Sequence, residues 1–480
     1  MKIFFSALLI LGLVVFSDSF AGAKEHPHNE PLRPQFHFSP MEGHLGAGIG
    51  LAFANDQYKL FYPLCLNGDS LFHIYQATSK DLIHWNYKKG QVGLANKVSL
   101  PGGENVVAVS VLADSANCSG LVRDGKSALL LFYTTVSGGT YLIYSDDNGE
   151  KWMPFQQKPL LPSTPVVGKS YLHAFWYAPA KKFYLIVAEK RNGQQGNYCF
   201  YSSPDLKKWT LEDTLDGFEG QPDFFRMQLE RRVEDFRWVL TEGSDGHYWI
   251  GTFDGHHFNA DGQGQLLNYS TAVVSPQSLK NTRDGRIIQF ACLNETDARS
   301  AAFSGQLTFP VQLYLQQVES GYQLIRRPVD EISMLAEKPY VITDKTIIPG
   351  LSSSPVRKLK GDCFLIDGDF DLRDLSSFGF MVRCDRSGNG TEIRYDATKN
   401  LISCMGAQAK LLPDDGNELK LKILIDRSSI EIFSDGGNMV LTAFYKPQPG
   451  GDRLIFYNTG GEVRIKKLNV FRLRSIYSTK

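Results

Sequence analysis

The sequence predicts an all-β protein: a strand-rich N-terminal body with a blade-like repeat, followed by an antiparallel β-sandwich. Three observations carry this. From Leu51 to Leu324 nearly every segment is a short alternating or apolar run bounded by Gly, Asp, Asn, Ser or Pro, with no amphipathic helix between. Such spacing fits a sandwich, a barrel or a propeller. Within it, SKDLIHWNY from Ser79, SDDNGEKWMPF from Ser145 and SSPDLKKWTLED from Ser202 repeat a serine–aspartate turn followed by a tryptophan. A polar turn and a tryptophan to fill the space between sheets make a blade-like hairpin. Radial repetition of such hairpins protects sheet edges without closing a barrel, which points to a β-propeller. Finally, residues 356–475 alternate cleanly, with hairpin turns at Asp435-Gly436-Gly437 and Thr459-Gly460-Gly461, as an antiparallel sandwich does.

In chain order, residues 1–23 read as a secretory signal peptide. Lys2 supplies the positive start, Phe4 to Phe16 the apolar run and Ala21-Gly22-Ala23 the small-residue cleavage site. Cleavage near Ala23 makes the mature chain secreted or periplasmic. No later apolar run is long enough to span a bilayer. Residues 30–335 form the expected propeller body, 336–355 a linker and 356–475 the sandwich. Lys plus Arg and Asp plus Glu both total 51, and no basic block marks a nucleic acid or an anionic membrane as partner. The 12% aromatic content suits strands and sugar-stacking surfaces. The seven cysteines form no CxxC or Cys/His cluster; Cys384 with Cys404 is an open pairing. His256 and His257 are adjacent in a strand-end turn and face apart, so no metal is expected, and without a P-loop or dinucleotide fingerprint no cofactor is expected either.

Several stretches together resemble glycoside hydrolase family 32, the invertases, levanases and inulinases. They are HFSP with the Gly-rich loop up to Gly50, YSSPDLKKW at 201–209, RWVLTEGSDGHYWIGTFDGHHF at 237–258, GRIIQFACLNE at 285–295, RRPVDEI at 326–332 and ILIDRSSIEIFSDGG at 423–437. The resemblance covers nearly the whole mature chain. It implies a five-bladed propeller followed by a sandwich, with Asp426-Arg427-Ser428-Ser429 a polar junction carrying an Asp–Arg pair. It also implies retaining hydrolysis by an aspartate nucleophile (WMNDPNG) and a glutamate acid/base (ECPD), with a further aspartate (FRDP) holding the sugar. In this chain those three positions fall on Ala47, Gly220 and Tyr171. All three acids are lost together, on separate stretches.

Two functions remain open. One is a secreted family-32-like protein that binds carbohydrate, with fructan the default ligand by analogy, without the usual hydrolysis. His44, Tyr171 and Asp223 are then the ligand-binding candidates. The other is a divergent glycosidase acting on β-fructosides or another glycan through relocated groups. Its acids would come from Glu42, Glu104, Glu219 and Asp223. Glu219 is no simple substitute for the residue at Gly220, because a one-residue shift in a strand sends a side chain to the other face unless a bulge re-aims it.

Overall fold

The computed structural model describes residues 28–477, except 94–99, 104, 123–126, 162–169, 190–195, 233, 271, 294–301, 351–353, 373–376 and 414–416. The signal peptide and Glu104 therefore lie outside the described residues. The N-terminal body is five antiparallel sheets arranged as blades. Their inner strands are Gly50–Ala54, Val106–Asp114, Tyr171–Tyr177, Asp223–Gln228 and Val273–Leu279. Each inner strand contacts the next, and the last contacts the first, so the ring is closed as a five-bladed propeller. Blade I also takes in Gly43–Leu45, which pairs in parallel with Phe303–Ser304.

The repeat seen in the sequence is the turn into the outer strand of each blade. Ser79, Ser145 and Ser203 donate to Asp81, Asp147 and Asp205. Those carboxylates then accept backbone N–H groups of the turn, as in Ile83 and His84, Glu150 and Lys151, and Lys207 and Lys208. In all three, the tryptophan indole donates back to a turn carbonyl: Trp85 to Leu82, Trp152 to Gly149 and Trp209 to Leu206. Blade IV uses the same chemistry in disguise. Asp254 accepts the N–H groups of His256 and His257, and Phe258 takes the tryptophan's place in the core. His256 and His257 pair with Glu212 and Asp213.

The sandwich stacks a six-stranded sheet on a five-stranded one around a core including Ile366, Phe370, Phe380, Ile423, Ile432 and Phe456. Three expectations need correction here. The stretch expected as a linker contains Tyr340–Ile347, a strand paired with the last strand of the chain. It lies at the sheet edge and buries only Ile342 and Ile347, so its sequence lacks the alternation of a half-buried strand. Asp426 does not pair with Arg427. It is buried against His37, at 2.7 Å, while Arg427 reaches Asp362. Cys384 and Cys404 are free thiols. Their strands flank Thr391–Asp396 on opposite sides, about 9–10 Å apart and beyond disulfide reach.

His37 joins the two bodies. Its Nε2 lies 3.0 Å from Glu431, and both carboxylates belong to the sandwich. Burial would strip the imidazole of its proton, but the two carboxylates overcome this and raise its pKa to about 9.

Candidate functional site

The inner strands converge on Gln221, which is fully buried. Its Nε2 lies 2.9 Å from the Ile49 carbonyl, 3.1 Å from that of Val109 and 3.4 Å from that of Leu172. One side-chain amide thus ties blades I, II and III to the start of blade IV and closes the axial channel. Blades I and II are zipped further. The Val109 N–H donates to the Gly48 carbonyl at 2.9 Å. A Cβ on Gly48 would lie 2.5 Å from Ala108 Cα, so this approach requires glycine.

Ala47, Tyr171 and Gly220 each precede a residue of this junction by one or two positions, so they gather at one mouth of the channel. The Ala47 carbonyl accepts from the buried Cys292 thiol at 3.2 Å. Tyr171 opens the inner strand of blade III. Burial, with the Cys292 thiol nearby, raises its phenol above the usual range. Gly220 has φ +74°, and a Cβ there would stand 2.5 Å from the carbonyl carbon of Gly243 and 2.6 Å from the Ser244 nitrogen. Gly243 is equally committed: its own Cβ would meet the Gln221 nitrogen at 2.3 Å. Two backbones touch where a side chain would have to pass.

The other sequence candidates do not collect there. Glu219 lies off the axis: a Cβ on Gly196, at the start of blade III's third strand, would meet its Cγ at 2.5 Å. Glu42 is exposed over blade I, near Tyr75. His44 sits on the short strand Gly43–Leu45, edge-on to Phe72 with ring centroids 5.7 Å apart. Asp223 has no accessible surface and lies past Gln221, beside His173 (3.5 Å) and Lys280 (3.7 Å). Burial pushes its carboxyl up, and the Lys280 ammonium partly offsets this.

Sequence reasoning missed Glu242. It is buried at the turn beside Gly220, and its Oε1 accepts the Glu219 N–H at 2.9 Å and the Ser244 hydroxyl at 2.6 Å. Burial and the neighbouring Asp245 raise its carboxyl to about 7. Glu242, Asp245 and His247 bring one donor atom each within 4.8 Å of one another. The signal was present as an acid directly after an apolar strand, WVLTE, but the turn that aims it was not.

Beyond Gln221 the channel widens into a cavity of about 530 Å³, lined from all five inner strands and open at the opposite mouth.

Comparison with known proteins agrees with this architecture. Residues 37–328 match the glycosyl hydrolases family 32 N-terminal domain, and residues 331–472 match the family's C-terminal region. The chain is similar to a levanase of Bacillus sp. (strain L7), 27% identical over 97% of this chain and 55% of that enzyme. It therefore spans little more than half of that relative. An extracellular exo-inulinase of Aspergillus awamori is 23% identical over 94% of this chain and 96% of its own. The crystal structure of exo-inulinase from Aspergillus awamori superposes with a TM-score of 0.82, at 21% identity over 94% of this chain and 100% of that one. The fructofuranosidase from Schwanniomyces occidentalis, complexed with fructose, superposes at 0.78, with 16% identity over 94% and 100%.

Proposed function

The chain belongs to glycosyl hydrolase family 32, and on that premise we propose that it is a secreted protein that binds carbohydrate, fructan by default, without the family's hydrolysis. Retaining hydrolysis needs two carboxyl groups about 5–5.5 Å apart across the scissile bond, one ionised and one protonated. By alignment, the positions that would supply them are Ala47 and Gly220, and the position that would hold the sugar is Tyr171. The observation that carries the reading is Gly220. Its left-handed backbone and its contact with Gly243 leave no path for a glutamate side chain. Tyr171 remains at that mouth as a group that can hydrogen-bond a sugar hydroxyl, with His44 apart from it on the strand Gly43–Leu45. Secretion is supported by residues 1–23 and by similarity to relatives described as extracellular.

The test is calorimetric titration with product analysis on one panel of sucrose, inulin, levan and unrelated glycans. Binding without released sugar is expected, and a Tyr171→Ala variant should weaken it. Sugar release by the parent protein would overturn the reading.

One observation favours the alternative, a glycosidase with relocated groups. Glu242 is a buried carboxyl with pKa near 7, beside the position of the acid/base, as a general acid requires. Its immediate partner is Asp245, within 4.8 Å, which is a carboxyl pair in contact rather than one straddling a sugar. On this reading Glu242→Gln abolishes whatever sugar release the parent shows. On the main reading there is none to abolish.

A further inference from the structure

We propose that the mouth opposite Gly220 is a second ligand site, built for a carboxylate-bearing sugar of an acidic glycan. The cavity there, about 530 Å³, lies within the usual range for ligand pockets. Gln221 separates it from Ala47 and Tyr171, so it is not the family's reaction site seen from behind.

Its walls are aromatic and rigid. Trp238 stacks on Phe224 at 4.6 Å and tilts against Phe175 at 5.6 Å, while Trp176 packs edge-on to Phe183 at 4.6 Å. Trp176 and Trp238 remain partly accessible and line the cavity, the arrangement that holds a sugar ring by its apolar face.

Its charge selects the substituent. Arg226 is exposed at the rim, stacked 3.8 Å over Phe236, and forms no ion pair among the described residues. A stacked guanidinium presents its fork of donors in a fixed plane, the geometry that receives a carboxylate in two hydrogen bonds. Lys280 lies at the floor as a hydrogen-bond donor, its charge balanced by the buried Asp223 carboxylate 3.7 Å away. Its ammonium is pinned 3.0 Å from His173 Nε2 and 3.0 Å from the Phe224 carbonyl, with a quarter of the side chain still accessible. The acid in the lining, Asp114, is already engaged by the N–H groups of Cys118 and Ser119 at 2.7 and 2.9 Å. A neutral sugar would leave the Arg226 guanidinium without a counter-charge, whereas Lys280 already faces the Asp223 carboxylate at 3.7 Å.

The experiment is isothermal titration of the full mature chain with oligogalacturonate, with neutral oligofructose of similar length and with inorganic phosphate. Saturable 1:1 binding of oligogalacturonate is expected, weakened about tenfold or more by Arg226→Gln and by Trp238→Leu. Arg226→Lys should restore little, because an ammonium lacks the fork. Arg226 is on the surface, so its variants report on binding with an unchanged melting curve. Three results would overturn the proposal: no binding of oligogalacturonate at millimolar concentration, equal binding by Arg226→Gln, or equally tight binding of phosphate alone. Fructan binding at the other mouth is read separately through Tyr171→Ala, so the two proposals fail independently.

Discussion

On the proposed reading, placing a glutamate at position 220 should harm this protein without making it a hydrolase. Consider Gly220→Glu, alone and with Ala47→Asp. A residue with a Cβ in the left-handed region costs about 1–2 kcal/mol. At Gly220 that Cβ would also stand 2.5 Å from the Gly243 carbonyl carbon, far inside contact distance. Gly243 cannot retreat cheaply, because its own face is pressed to Gln221, which holds the carbonyls of Ile49, Val109 and Leu172. Overpacking of this kind costs about 1–3 kcal/mol, so the variant should lose roughly 2–5 kcal/mol. For a body of this size each kcal/mol is worth about 2 °C or slightly more, which puts the fall in Tm at about 4–10 °C. Gly220→Ala separates strain from charge. It should reproduce most of the loss with no carboxyl added. The assay is thermal unfolding in parallel with fructose release from sucrose, inulin and levan. Should the double variant melt with the parent and release fructose, the backbone argument is wrong and the site is one mutation pair away from the family's chemistry.

Two further outcomes follow from the packing. The imidazolium of His37, raised from an ordinary 6.5 to about 9, contributes up to about 3 kcal/mol below pH 6.5, and that contribution is lost as pH rises through 9. Unfolding midpoints recorded from pH 6 to 10 should therefore fall across that window, and in His37→Gln the fall should be largely absent. Asp426 acts in the opposite direction: burial opposes its charge, but hydrogen bonds to His37 and to the Gln35 and Phe36 N–H groups hold its pKa low, so its contribution fades only in acid. At the channel, Gln221→Leu removes the donor shared by three buried carbonyls and should cost about 2–4 kcal/mol, measured by urea unfolding. A change below about 0.5 kcal/mol would mean that the blades are held together without it.

Much of the fold was legible because its signals are local. The Ser-x-Asp turn and its tryptophan are set within ten residues, and the structure repeats them in blades I to III with the same hydrogen bonds. Blade IV carried the turn as FDGHHF, read from the sequence as a polar strand-end turn but not as a member of the repeat, because phenylalanine stands where the others have tryptophan. The edge strand Tyr340–Ile347 was missed for a related reason: exposed on most of its length, it has no burial pattern to read. The candidate site was less legible, since its decisive contacts join residues far apart in the chain. The resemblance drew attention to Gly220, but it could not show the positive φ or the Gly243 backbone across from it. Asp223 stood among the sequence candidates for a ligand role, whereas the ring brings it against His173 from blade III and Lys280 from blade V and leaves it no surface. Gln221, between these two, carried no signal in the sequence. Its amide is what divides the channel, with Ala47, Tyr171 and Gly220 at one mouth and the open cavity rimmed by Arg226 at the other. The two mouths of the channel therefore present different chemistry, and the two binding proposals can be tested one mouth at a time.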